Sequence, residues 1–298
     1  MELHWPLILF TAFIAWSAGL LATQGVFALK KEAPRAQIPT LVASVVLLAV
    51  GGLAVFTHLH HWERIFNGFG NPTSGITQEL ICVVLMVVVI VLLFAYVRKD
   101  AAAVPAWVAV AAIVVALATA AITAHSYMMA SRPAWDTILW MVCLVGNACV
   151  LGPLTFIAID CLIDKGEGVK PALFGLAALV GSVVNAVASL AYVFFLSTIG
   201  GKFDTVGYYY NPVEPMREMV DPATVANVFS PEYALLVWGG IVLVGAVVPV
   251  VAAYLGKKKN TAASWTIWAL IGLVAAVVGV ICLRVLFFEL GASVYIFY

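Results

Sequence analysis

Imidazole, guanidinium and carboxylate side chains crowd one short stretch of an otherwise apolar chain: His58-Leu59-His60-His61-Trp62-Glu63-Arg64-Ile65-Phe66-Asn67, running on to Gln78-Glu79. Ionisable groups in or beside a bilayer are costly to hold there and mark ion pathways, proton relays or ligand contacts. A histidine with an unperturbed pKa of about 6.5 can both accept and release a proton at working pH. Such a set has the chemistry to take protons from a lipid-soluble donor. His125 and Tyr127 close a later apolar span, and Arg132 and Asp136 lie just beyond them. Arg284 is expected about six residues inside the last span, ~9 Å deep at the rise of a helix. Glu289 is five residues further on and does not share its face. The expected partner of Arg284 is therefore Glu79, with a bound ligand as the other choice and snorkelling to the interface as the bland reading. Glu63 and Arg64 can equally be a solvated loop pair, and His60 and His61 read as surface groups. Asn147 and Asn185 read as interhelical hydrogen-bond makers.

These residues have to be positioned by membrane-spanning elements. Hydrophobic residues make up 64% of the 298 and charged residues 10%, against about 25% charged in a soluble domain. A spanning helix needs roughly 20 apolar residues. Eight such runs are expected, at about 7–29, 38–59, 79–97, 104–128, 136–160, 172–199, 233–255 and 264–290. The runs are apolar throughout rather than alternating, which argues for helices and against a β-barrel. The expected fold is an all-α integral membrane bundle, with residues 1–298 forming one eight-helix domain. No internal repeat shows in the sequence. The segment before the first span carries no Lys or Arg, so the span is expected to stay as a first helix rather than act as a signal peptide.

Lys and Arg counts orient the bundle. The loops after spans 1, 3, 5 and 7 hold Lys30, Lys31, Arg35, Arg98, Lys99, Lys165, Lys170 and Lys257 to Lys259, ten in all, against Arg64, Arg132, Lys202 and Arg217 on the other side. The odd loops are expected to be cytoplasmic and both termini extracytoplasmic, in the plasma membrane of a prokaryote. All five histidines then fall at the outer face. That disfavours a cytochrome with two stacked haems, which needs ligands near both faces; one outer haem held by His58 and His125 stays open as an alternative. The long outer loop at about 200–232 carries Tyr208, Tyr209, Tyr210 and a net charge of −3, and reads as a lid, a docking surface for an extrinsic partner, or both. Cys82, Cys143, Cys149, Cys161 and Cys282 show no metal-ligand spacing and read as apolar packing. Zero formal net charge suggests no nucleic-acid partner. Trp5, Trp62, Trp107, Trp135, Trp140 and Trp265 read as an interfacial belt.

Several patches, in order along the chain, resemble the membrane-anchor subunits of dimethyl sulfoxide reductases, the DmsC-like family. They are Trp5-Pro6-Leu7 with Phe10-Thr11 and Ala18-Gly19; His58-Leu59 with Arg64, Phe66-Asn67 and Glu79; Tyr127 to Thr137 with Gly152-Pro153-Leu154; and Arg284 with Phe287-Phe288. The chain departs from the pattern at His60-His61, at Leu283, and in a longer 200–232 loop. The resemblance implies a subunit without haem, iron–sulfur cluster or metal of its own. It implies an anchor for an iron–sulfur electron-transfer subunit and a molybdopterin catalytic subunit on the extracytoplasmic face. Menaquinol would be oxidised to menaquinone near the outer face in anaerobic respiration. By resemblance His58 is the quinol-associated histidine and Glu79 an acidic residue of the same site, while Arg64 and Arg284 match basic positions. His125 is added from its place at the same depth. The chain itself would be a non-catalytic, quinol-oxidising part of the oxidoreductase. The alternatives are a related polysulfide- or nitrite-reductase type of anchor, a purely structural anchor, and a small-solute transporter, for which Pro153 and Pro249 are the sequence argument.

Overall fold

The computed structural model describes residues 4–59, 61, 67–163, 168–203 and 227–294. Eight helices long and apolar enough to cross a membrane account for most of them: α1 Trp5–Lys30, α2 Gln37–Phe56, α3 Gly75–Val97, α4 Ala106–His125, α5 Ile138–Ile163, α6 Ala172–Leu196, α7 Leu235–Lys259 and α8 Ala262–Glu289. The protein is a multi-pass, all-helical membrane protein; the described residues contain no strand.

Prolines set half of the helix starts, where the missing N–H has no helical acceptor to lose. Pro6 opens α1, Pro34 leads into α2, and Pro105 and Pro171 precede α4 and α6. The turns at one face are tight. Lys31 closes α1 in a left-handed conformation, and Asn260 (φ 49°) makes the turn from α7 into α8, where Thr261 caps the new helix by accepting the Ser264 N–H. The opposite face carries the longer connections, 57–74, 126–137 and 197–234. These are called the lysine face and the His58 face below.

α1 packs on α2 and α4, and α3 on α4. In the second half α5 packs on α6 and α8, and α7 on α8. The halves thus share these contacts but differ in one, since α6 packs on α7 whereas α2 and α3 barely meet, and they join where α1 meets α5. There Gly19 and Gly152 bring backbone against backbone: a Cβ on Gly19 would overlap the Ala148 carbonyl, and one on Gly152 the Gly19 carbonyl. Close approach through small residues is how apolar helices associate when lipid competes equally for their side chains. The α1–α2 seam has a seven-residue rhythm. Gly51 sits on Phe10, Ser17 pairs with Ser44 (Oγ to Oγ, 3.1 Å), and Gln24 donates to the Gln37 carbonyl at 2.6 Å.

Helix bounds differ from expectation by up to four residues. α3 begins at Gly75, so Glu79 lies in its second turn rather than opening it. α5 runs on to Ile163, which places Asp160 inside the helix, where it pairs with Lys170 at 2.9 Å; both are buried. Lys170 is therefore not a solvated loop cation. Its backbone also pairs with Asn260, which fastens the α5–α6 connection to the α7–α8 turn.

Candidate functional site

Arg284 is completely buried in α8. Its Nε–H donates to Thr11 Oγ1 (3.0 Å), Nη1 to Asn147 Oδ1 (2.8 Å) and the Val280 carbonyl (3.2 Å), and Nη2 to the Thr11 carbonyl (3.1 Å). Asn147 in turn donates to Asn185 Oδ1 (2.8 Å), and Asn185 to the Gly245 carbonyl (3.1 Å). One hydrogen-bonded chain thus ties α1, α8, α5, α6 and α7 together. This corrects the expected Arg284–Glu79 pair and excludes snorkelling. Neutral acceptors on three helices hold the guanidinium and satisfy four of its five N–H donors without a carboxylate. The expectation for Asn147 and Asn185 is met.

The Gly245 link has a local cause. Pro249 has no N–H, so the carbonyl four residues earlier loses its helical donor. Over Leu235–Val247 the helix is wound as a π-helix, and Asn185 supplies a donor to Gly245. Pro153 similarly deprives the Cys149 carbonyl, against which Gly181 packs so closely that a Cβ would collide. Both proline sites are thus packed or bonded inside the bundle.

Glu79 is the other buried charge-bearing group on this side, 8% exposed. Its Oε2 accepts from Ser126 Oγ at 3.3 Å. The Thr123 and Ser126 hydroxyls both act on the carboxylate, and among the described residues no well-formed hydrogen bond reaches its Oε1. Ser126 is held close because Gly75 gives its backbone room against α3, and the 67–70 turn is fixed over α3 by the Thr77 hydroxyl on the Gly68 carbonyl. A buried carboxylate with one oxygen lacking a well-formed hydrogen bond can still accept from a further donor.

Aromatic rings lead from Glu79 to the histidines. Tyr127, next to Ser126, lies within electrostatic reach of both Glu79 and Arg284. Burial, with the Glu79 carboxylate adding to it, pushes its phenol up, so it stays neutral and protonated. Its ring is edge-on to Phe288 (6.0 Å); Phe288 meets His4 (6.3 Å), and His4 meets His58 (5.6 Å). His4 and His58 are exposed. Behind them Phe287 is sandwiched between Trp135 (4.8 Å) and Trp140 (3.7 Å), and Trp135 Nε1 donates to the Phe287 carbonyl at 2.7 Å. Arg132 lies over Trp135, 4.5 Å from the ring centre, and binds the Gly291 carbonyl.

The structure therefore brings Glu79 and His58 to one corner, by way of His4, Phe288 and Tyr127, and leaves Arg284 in a separate network. His58 sits in the turn just after α2 rather than in the helix. His125 ends α4 exposed, with its carbonyl accepting from Met128. His61 is exposed; Arg64 and His60 lie outside the described residues, as does most of the 200–232 loop, including its three tyrosines. From that loop Phe203 and Val228 are buried in the core of the His58 half, and Phe229 stacks on Trp238 at 5.7 Å.

Trp5 and Trp107 are exposed, as a belt requires, whereas Trp135, Trp140 and Trp265 are buried and serve the interior; Trp62 lies outside the described residues. All five cysteines are free thiols, three of them buried. The described residues hold no cluster of three or more metal-ligating side chains. An apolar cavity of about 360 Å³ between α1, α4, α5 and α6 lies toward the lysine face, walled by residues such as Val26, Phe27, Leu173 and Ala177. It has no acid or base on its wall. Sequence reasoning missed His4 as part of the corner and Thr123 and Ser126 as the neighbours of Glu79. Thr123 and Ser126, spaced three residues apart, share a helix face with each other, and that was the available signal. No protein-family model and no curated protein sequence matches the chain.

Proposed function

We propose that this protein is a quinol-oxidising membrane anchor of the dimethyl sulfoxide reductase type, binding menaquinol at the corner formed by Glu79, Tyr127, His4 and His58. The observation that carries the reading is the buried, sparsely bonded Glu79 carboxylate, with the Thr123 and Ser126 hydroxyls beside it, at the membrane face where the histidines gather. A quinol has two hydroxyl donors on an apolar ring. One hydroxyl donates to Glu79 Oε1, and the aromatic walls at Tyr127 and Phe288 suit the ring. Oxidation of the quinol to the quinone releases two protons and two electrons. Glu79 takes a proton inside, and the exposed His4–His58 pair passes protons to water at that face. The electrons leave one at a time to an iron–sulfur centre of an extrinsic partner seated on the longer connections of the His58 face, with a molybdopterin subunit beyond it. In this reading the His58 face is extracytoplasmic, so release and consumption of protons on one side would move no net charge across the membrane.

Titration of the detergent-purified protein with a fluorescent-quenching menaquinol analogue tests this reading. Wild type should bind, Glu79→Gln should bind about tenfold more weakly, a change of ~1.4 kcal/mol, and His58→Ala should retain binding but lose oxidation in the assembled complex. A wild-type protein that binds no quinol analogue would falsify it. Iron and molybdenum in a native pull-down report the partners separately.

A further inference from the structure

We infer that the groove between α4 and α6 binds one acyl chain of an anionic phospholipid, whose phosphate is held at the lysine face by Lys30 and Lys31. The groove is the apolar cavity of about 360 Å³ described above. Its floor is the crossing of α1 and α5, where Gly19 lies against Ala148 backbone to backbone. Ile113 and Leu117 of α4 line one side, Ala177 and Val180 of α6 the other. Among the described residues α4 and α6 scarcely meet, so nothing closes the groove between them. Leu176 (54% exposed) and Val180 (52% exposed), both on its wall, open outward to where lipid lies.

Chemistry, length and charge select the occupant. The wall carries no charged side chain, and its Thr23 hydroxyl is already satisfied by the Gly19 carbonyl at 2.8 Å. Such a surface suits hydrocarbon and offers a polar head nothing to bind. From Gly19 to Lys30 along α1, and from Val184 to Leu173 along α6, is ~16 Å at the rise of a helix. That matches one leaflet of a hydrocarbon core about 30 Å thick. The lining stripe of α1, Gly19, Thr23 and Val26, runs at helical spacing to Lys30, which shares that face and is exposed, as is Lys31 next to it. The sequence supplies the sign. The helix ends and connections of the lysine face carry ten Lys and Arg against Glu32, Asp100, Asp160, Asp164 and Glu167. Clustered cations at a membrane surface attract anionic head groups. A phosphate on a hydrocarbon chain uses both the cations and the groove; a neutral lipid would use only the second.

Native mass spectrometry of the delipidated full chain in detergent tests this, with dioleoyl phosphatidylglycerol as the anionic probe and dioleoyl phosphatidylcholine as the neutral one. Wild type should hold phosphatidylglycerol roughly tenfold more tightly than phosphatidylcholine. Lys30→Gln combined with Lys31→Gln should bring the first down to the level of the second. Ala177→Trp and Val180→Trp fill the groove from its wall and its rim, and each should abolish the tight site. Their melting temperatures report whether they fold, and the exposed Val180 position and the lysine pair keep the test decisive if Ala177→Trp does not. Equal affinity of wild type for the two lipids overturns the inference. So does a phosphatidylglycerol preference that survives the lysine pair or a folded tryptophan variant. Displacement of the lipid by an equal concentration of uncharged long-chain menaquinone would give the groove to a quinone tail and overturn it as well. None of these readouts requires quinol to bind at Glu79, so this inference and the proposed function fail separately.

Discussion

Arg284 and Glu79 are both ionisable, both buried and both near the same face, yet they live in opposite circumstances. The guanidinium makes four hydrogen bonds to three residues and is surrounded on every side by α1, α5 and its own helix. The carboxylate has one long bond from Ser126, with the Thr123 hydroxyl beside it. A buried guanidinium with four bonds organises structure; a more sparsely bonded carboxylate at the rim of the bundle is available for chemistry. Depth and residue type alone would have ranked Arg284 as the stronger functional candidate, and hydrogen-bond accounting reverses that order.

The comparison breaks first at Arg284. Arg284→Ala leaves a cavity and strands Asn147 Oδ1 and Thr11, and should lower stability by on the order of 3 kcal/mol or more, read as a large fall in melting temperature and yield in detergent. A variant as stable as wild type would mean the network is not structural. Glu79→Gln should behave in the opposite way. Its melting temperature should match or exceed wild type, because a buried charge is removed, while quinol affinity falls roughly tenfold; an unfolded Glu79→Gln protein would erase the distinction. Asn185→Ala tests how far the Arg284 network extends. It frees the Gly245 carbonyl opposite Pro249 and should cost about 1 kcal/mol, with quinol binding unchanged. Thr123→Val sharpens the other side. Replacing the Thr123 hydroxyl by a methyl removes a donor from beside Glu79 and should cost about 1 kcal/mol, and weaker quinol binding in that variant would make the hydroxyl a ligand contact. His125→Ala is expected to be the mildest, within ~0.5 kcal/mol in stability and silent in binding, because its ring is exposed.

Much of the fold was legible because spanning helices announce themselves by length and apolar composition, and all eight lie where the sequence places them. What could not be read was which side of each helix faces which neighbour. The spans are apolar all round, so no polar face marks the lipid side. This is why Trp135, Trp140 and Trp265, placed correctly in depth, were assigned to the belt rather than the core. It is also why Arg284 was given to Glu79: the two share a depth, but the rotation of α8 turns the guanidinium toward Thr11 and Asn147. Asp160 was hidden by a boundary three residues short. The contacts that the halves share leave no mark in the sequence because they are a pattern of packing, and many apolar residues can satisfy it. Glu79 and His58 were legible as candidates since polar groups are so scarce here. His4 was not, because its role comes from a neighbour 54 positions away in the chain.

The network through Arg284 also has an order in time. Helices of a membrane protein enter the bilayer in sequence, and a charged side chain inside a spanning segment is costly to insert alone. Here the acceptors come first: Thr11 with α1 and Asn147 with α5, while Asn185 arrives with α6 before the proline-broken carbonyl of α7 needs it. Arg284 follows in α8, when every oxygen that will hold it is already in the membrane. The group least able to wait for a partner is the one synthesised after all of its partners, so the half-built protein never has to carry that charge through lipid unaccompanied.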